Sequence, residues 1–236
     1  MLLTLPVSEI RTATPRALSV RLALDGRHLP YRAGQAILAG RAGQPIRRPY
    51  SLATAPHEAE ARRELELLVG LDLEGSPGPH LAGIAPGMAV DVEGPIGSFE
   101  FPADPEEERF LFLAGGTGIA PLRAMVHHAL ARSAAWTLGV LYSARSPEEF
   151  AYGDELARLA ASGAITLRRA ITRPDERTWT GARGRINAEL VAELADPDTL
   201  CFVCGPHAFV EAMLPLLTET GVPARRVRVE DWGTLG

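Results

Sequence analysis

The sequence predicts two domains, an N-terminal antiparallel β-barrel followed by an α/β domain built on a doubly wound parallel sheet. Three observations carry that expectation. Over the first hundred residues, short apolar runs alternate with glycine and proline, as in barrels and sandwiches. Residues 102–108 are polar, with two prolines and three consecutive glutamates, and read as a linker. Beyond them, apolar strands alternate with helical stretches, the pattern of right-handed βαβ units. The expected boundaries are 1–103 for the first domain and 108–236 for the second.

In the first domain Ala17–Leu24 alternates in part and is closed by Gly26. Further strands are expected at Gln35–Ala39, Tyr50–Ala53, Glu64–Leu71 and Met88–Glu93, each bounded by turn residues. In the second, apolar strands are expected at Arg109–Ala114, Thr137–Tyr142, Ala164–Ala170 and Leu200–Cys204. Helices are expected between and after them, at Pro121–Arg132, Pro147–Ala161, Asn187–Leu194 and His207–Thr220.

The chain has 236 residues, 46% hydrophobic and 22% charged, which is enough apolar material for two cores. No run approaches the roughly 18–20 apolar residues needed to cross a bilayer, so membrane insertion is not expected. The opening Met-Leu-Leu-Thr-Leu-Pro lacks a positive region and meets Glu9 early, which argues for a cytoplasmic protein without a secretory leader. All 24 basic residues are arginine, which with abundant alanine, glycine and proline suggests a GC-rich bacterial genome. A net charge of −5 argues against nucleic acid. Residues 1–60, however, hold Arg11, Arg16, Arg21, Arg27, Arg32, Arg41, Arg47 and Arg48 against Glu9, Asp25, Glu58 and Glu60. Such a basic patch suits an acidic protein partner or a phosphate.

The two cysteines, Cys201 and Cys204, lie three apart on an expected strand and so face opposite ways. That disfavours a disulfide or metal site, and two thiolates are too few for an iron–sulfur cluster. No metal is expected.

Three short motifs carry the chemistry. In Arg48-Pro49-Tyr50-Ser51, Arg48 and Tyr50 share a strand face about 6.6 Å apart. A ring there can stack on a flat heterocycle while the guanidinium grips a phosphate of the same molecule. The same residues also suit an ordinary strand with a surface arginine and a core tyrosine. Gly115-Gly116-Thr117-Gly118 follows a strand and precedes a helix with Pro121 in its first turn, which fits a pyrophosphate at a helix N-terminus. Ligands of open α/β sheets bind at the carboxyl ends of the strands. Those ends carry Gly116, Thr117 and Gly118, then Ser143 and Arg145, then Thr172 and Arg173, and finally Cys204-Gly205-Pro206. Cys204 also suits a small buried core residue.

Taken in order, these motifs resemble the ferredoxin–NADP reductase superfamily over nearly the whole chain. The resemblance implies an FAD-dependent NAD(P)H oxidoreductase. In it Arg48 binds flavin phosphate, Tyr50 stacks on the isoalloxazine, Ser51 sits beside flavin N5, and Pro49 and Val69 are also expected to bind the cofactor. Gly75-Ser76-Pro77-Gly78 would open a short helix onto the flavin pyrophosphate. Gly78 stands where the family usually has serine, so one hydroxyl contact is lost unless Ser76 or His80 supplies it. Gly94-Pro95-Ile96-Gly97-Ser98-Phe99 resembles FAD-binding members more than FMN-binding ones.

The resemblance further places Cys204 by the nicotinamide. In the closing Glu230-Asp231-Trp232-Gly233, Glu230 relays charge or protons, while Trp232 covers the flavin or simply packs. Ser51, Cys204 and Glu230 are thus the expected catalytic residues. Arg145 and Arg173 would clamp a 2′-phosphate, which modestly favours NADPH over NADH, and Arg177, Arg183 and Arg185 read as solvated surface charges. The implied partner is a separate acidic carrier, ferredoxin or flavodoxin. Alternatives are a reductase component of an oxygenase and an electron-transfer or regulatory subunit without turnover of its own.

Overall fold

The computed structural model describes residues 1–71, 81, 83–173 and 178–230. Its first half opens with β1 (Leu2–Thr14) and β2 (Ala17–Ala23), joined by a tight turn. β3 (Ala36–Arg41), β4 (Arg48–Ser51), helix α1 (Pro56–Arg62), β5 (Glu64–Gly70) and β6 (Ala89–Ile96) follow. The strands pair antiparallel in the order β4-β3-β6-β1-β2-β5. The two edges then meet: Leu52 bridges Leu67, and the Ala53 N–H donates to the Glu66 carbonyl at 2.9 Å. The sheet thereby closes into a barrel and hides its edges.

β5 shows why its sequence is almost continuously apolar. Leu65, Leu67 and Val69 point into the barrel core, while Leu68 on the other face joins the core of the second half. Both faces are covered, so the usual polar alternation is lost.

The second half comprises β7 (Arg109–Gly115), α2 (Ile119–Arg132), β8 (Thr137–Ala144), α3 (Gly153–Ala161), β9 (Thr166–Ile171), β10 (Ala182–Arg183), α4 (Ala188–Ala192), β11 (Leu200–Cys204), α5 (His207–Glu219) and β12 (Val227–Glu230). All six strands are parallel, in the order β10-β9-β8-β7-β11-β12. The chain winds outward from β7 and then returns to place β11 on its other side. β7 is therefore the switch point, where open α/β sheets leave a crevice for ligands.

Alternation along β11 divides two cores. Leu200, Phe202 and Cys204 face the barrel side, whereas Cys201 and Val203 face away. The barrel-side core also takes in Ala17, Ala53 and Leu68 of the barrel. Phe202 stacks between Phe101 and Phe112, with ring centroids 5.7 and 5.5 Å away. Such aromatic pairs add to the burial that holds the halves together.

The structure departs from expectation in four added strands or helices and one broken helix, and the strand expected at Tyr50–Ala53 runs over Arg48–Ser51. β1, α1, β10 and β12 were not foreseen. β1 mixes Pro6, Ser8, Glu9 and Arg11 into its apolar positions, and β12 is only four residues long. The helix expected at Pro147–Ala161 is broken into a 3₁₀ turn, Pro147–Glu149, and α3. Tyr152, at φ 57°, makes the break, and it buries Phe150 and Ala151 and sends the Tyr152 hydroxyl to Glu66 at 2.9 Å. Cys201 and Cys204 are both buried free thiols on opposite faces of β11. Among the described residues no helix is long and apolar enough to cross a membrane, and no cluster of side chains is arranged to hold a metal ion.

Candidate active site

The carboxyl ends of β7, β8 and β9 open onto a cleft of about 770 Å³, within the usual range for small-molecule sites. Its glycines are required by close approach. A Cβ on Gly118 would lie 2.3 Å from the Cys204 carbonyl oxygen, and one on Gly205 would lie 2.8 Å from the Phe209 ring. The glycine loop and the Cys-Gly-Pro turn therefore pack backbone to backbone. Gly116 adopts φ +53°, a left-handed conformation with open space beside it. The Tyr142 hydroxyl donates to the Gly116 carbonyl at 3.0 Å, and burial pushes its phenol pKa up, so it stays a donor. A bare backbone loop leading into α2 is a cradle fitted to a pyrophosphate. Thr117 is exposed toward the cleft, whereas Pro121 is buried inside the first turn of α2 and only shapes the loop.

Ser143, Arg145, Thr172 and Pro206 also line the cleft. The Thr172 N–H donates to the Ala144 carbonyl at 3.0 Å and the Arg173 N–H to the Arg145 carbonyl at 2.9 Å. These bonds tie two strand ends together and set the exposed Arg145 and Arg173 at one end of the sheet. Arg185, expected as a solvated surface charge, is exposed and also lines the cleft with Gly184. Arg183 is exposed and donates to the Trp179 carbonyl at 2.8 Å.

At the seam between barrel and sheet, Ser51, Cys204 and Glu230 converge. The Ser51 hydroxyl donates to Glu230 Oε2 at 2.9 Å, and the Cys204 thiol donates to the same oxygen at 3.3 Å. Cys204 and Glu230 are register partners on β11 and β12, so the parallel ladder itself sets their spacing. Burial first, then the nearby Glu230 charge, pushes the Cys204 thiol pKa well up. Cys204 is thus a neutral donor and not a thiolate nucleophile.

Arg48, Pro49, Tyr50 and Ser51 are each half-buried along β4. Burial also raises the Tyr50 phenol pKa, which keeps the ring neutral and apolar enough to stack. A short strand of half-buried ring, guanidinium and hydroxyl, ending at the carboxylate of the other domain, fits a flavin. The Val69 side chain belongs to the barrel core, and it is the neighbouring Gly70 that lines the cleft. Gly75, Ser76, Gly78, His80, Arg177 and Trp232 lie outside the described residues.

A second contact between the halves was not legible from any motif. Arg123 of α2 is buried and donates to the Ala53 carbonyl at 2.7 Å and to Glu58 at 3.3 Å, both on the barrel side. On its own side it meets Glu155 at 2.8 Å and stacks over the Tyr152 ring at 4.9 Å. His127 bonds to Glu155 and approaches Glu58 at 3.6 Å. The Glu155 carboxyl pays for desolvation, but the His127 hydrogen bond and the Arg123 charge outweigh it and lower its pKa to about 2.

The expected basic patch of the barrel is largely paired internally. Arg11 and Arg21 meet Glu9, Arg27 meets Asp25, Arg32 meets Glu100, and Arg47 meets Glu93. The positive field offered to an acidic partner is correspondingly reduced.

Comparison with known proteins agrees with this geometry. Residues 4–101 match the oxidoreductase FAD-binding domain and residues 112–214 the oxidoreductase NAD-binding domain. The chain is 35% identical over 218 residues to ferredoxin–NADP reductase B of Sorangium cellulosum, covering 87% of each. It is 29% identical to the glycine betaine monooxygenase reductase subunit of Pseudomonas aeruginosa, covering 81% of this chain but only 52% of that one. The FAD/NAD-binding domain of the Vibrio cholerae nitric oxide dioxygenase superposes with a TM-score of 0.82 at 25% identity, over 97% of this chain and 98% of that one.

Proposed function

This chain belongs to the ferredoxin–NADP reductase superfamily and is an FAD-dependent NAD(P)H oxidoreductase, and we propose that it passes electrons to a separate one-electron carrier such as ferredoxin or flavodoxin. When bound, FAD would supply the redox chemistry that links a two-electron hydride donor to a one-electron carrier. The chain's own part is alignment and electrostatics. In this reading Arg48 and Tyr50 hold the flavin along β4, and Ser51 offers its hydroxyl at the reacting edge. The glycine loop, Ser143, Arg145, Thr172 and Arg173 hold the nucleotide, while Cys204 fixes the nicotinamide position. Glu230 orients both Ser51 and Cys204 through one oxygen.

The observation that carries the reading is the Ser51–Glu230–Cys204 contact, which joins the flavin strand to the nucleotide strand through hydrogen bonds of 2.9 and 3.3 Å. The 35% identity to a ferredoxin–NADP reductase, covering 87% of each chain, supports a ferredoxin-type carrier. A reductase component of an oxygenase is the second reading, favoured by the Pseudomonas relative. In either case, anaerobic addition of NADPH or NADH should bleach the oxidised flavin band, and reduced protein should reduce added ferredoxin or flavodoxin. A band untouched by both nucleotides rejects the reductase. Bleaching without transfer to either carrier, while an artificial acceptor turns over, leaves the oxygenase reading.

A further inference from the structure

We propose that Arg16, contributed by the barrel, contacts the nucleotide pyrophosphate, and that Glu149 of the other domain holds its guanidinium until the nucleotide arrives. The inference rests on reading the 770 Å³ cleft as the nucleotide site. It adds a residue that no motif singles out.

Arg16 occupies the turn between β1 and β2. Its N–H donates to Thr14 Oγ1 at 3.2 Å, and its carbonyl accepts from the Leu71 N–H at 2.8 Å, so its backbone is fixed from two sides. The next residue, Ala17, is the register partner of Gly70. Gly70 is where the barrel touches the glycine loop, since a Cβ there would lie 3.9 Å from the Thr117 methyl. Arg16 therefore stands one residue from the point at which barrel and loop meet, and it lines the same cleft as Gly116 and Thr117.

Glu149 lines the same cleft and reaches Arg16 across the domain seam at 3.8 Å, with side chains 18% and 28% exposed. Its charge also acts on Tyr142, whose hydroxyl holds the Gly116 carbonyl. Arg16, Glu149, Tyr142 and Gly116 thus form one electrostatic group around the loop. The 3.8 Å pair is loose compared with the roughly 2.7–2.9 Å of a good charge-assisted hydrogen bond. A carboxylate on the wall of an anion site opposes binding, and Arg16 offsets it. A pyrophosphate with two negative charges competes successfully for the guanidinium, and Glu149 is then left to solvent. Because the pyrophosphate is common to both nucleotides, Arg16 serves NAD and NADP alike, unlike a 2′-phosphate clamp.

Titration calorimetry of the flavin-loaded protein with NAD⁺ and with NADP⁺ tests this without turnover. Arg16→Gln should weaken both nucleotides by the same factor, roughly tenfold for one charged hydrogen bond. Glu149→Gln should tighten both several-fold, and the flavin absorbance spectrum should stay as in the parent. Unchanged affinity in Arg16→Gln, a loss confined to NADP⁺, or weaker binding in Glu149→Gln each overturns the assignment. If the parent binds neither nucleotide, the cleft reading itself fails and this inference with it. If the parent binds but the two variants do not move in opposite directions, only the inference fails.

Discussion

Among the contacts that join the halves of this molecule, two are built from opposite materials. At the seam between barrel and sheet, Ser51 and Cys204 share one oxygen of Glu230 through two hydrogen bonds. Two residues further along the barrel segment, Ala53 receives Arg123, which is enclosed by Glu58, Glu155 and the Tyr152 ring. The first contact is light and its groups are small. The second is an ionic knot centred on Arg123 and Glu58, which are buried and have lost most of their water. The difference teaches where positional accuracy comes from. In the proposed function the groups of the first contact lie beside the reacting atoms and must accommodate a flavin and a nicotinamide, so they cannot also carry the docking energy. A charge cluster close behind them carries it and fixes Ala53, and through it Ser51.

The largest test of that division is Arg123→Met. It strands the Glu58 and Glu155 carboxylates at a buried seam, and removing one partner of such a cluster costs about 3–5 kcal/mol. Denaturant unfolding should show that loss, with flavin reduction slowed as well. Adding Glu58→Gln and Glu155→Gln should recover much of the stability, because no unpaired charge then remains. A single variant as stable as the parent would show that the knot contributes no docking energy.

The next effect is a pH dependence. Glu155 titrates in the folded chain at about 2 in place of the ordinary 4.5. Its folded pKa is depressed, so its contribution is present in full above about pH 4.5 and is lost as pH falls toward about 2. The shift corresponds to on the order of 3 kcal/mol. Unfolding free energies of the parent and of Glu155→Gln should therefore differ most near neutral pH and converge through that acid window. A gap that stays constant down to about pH 2 would break the assignment.

The contrast between the two contacts also marks what was legible in the sequence. The barrel-then-sheet order, the strand Leu200–Cys204 and the glycine loop could be read because local signals carry them: turn residues, apolar runs and backbone-bare motifs. The grouping of Ser51, Cys204 and Glu230 followed from a resemblance, since the three are far apart in the chain and only the register of β11 with β12 and the closure of β4 bring them together. The Arg123 knot had no such handle. A lone arginine inside an apolar helix resembles a surface charge until its partners arrive from α1 and α3. That Arg16 and Arg185 line the cleft had no handle either, because which arginines border a cleft is decided by how the chain folds around it. The helix expected from Pro147 to Ala161 broke because burial of Phe150 and the Tyr152–Glu66 bond outweigh helix propensity there.

The smallest effect belongs to the light contact. Cys204 is a neutral thiol, held protonated by burial and by Glu230, so it supplies neither charge nor a nucleophile. Its removal costs one weak hydrogen bond and, in the proposed function, some shape beside the nicotinamide. Cys204→Ala should slow hydride transfer in stopped flow by roughly tenfold, equivalent to about 1.4 kcal/mol of barrel-to-sheet alignment in the transition state, with FAD affinity unchanged. Cys204→Ser, which keeps a donor toward Glu230, should recover part of the rate. If alanine and parent reduce the flavin equally fast, Glu230 holds Ser51 without help from Cys204, and the reacting contact narrows to those two residues. If instead alanine loses FAD, the light contact bears docking energy after all and the division between the two contacts is wrong.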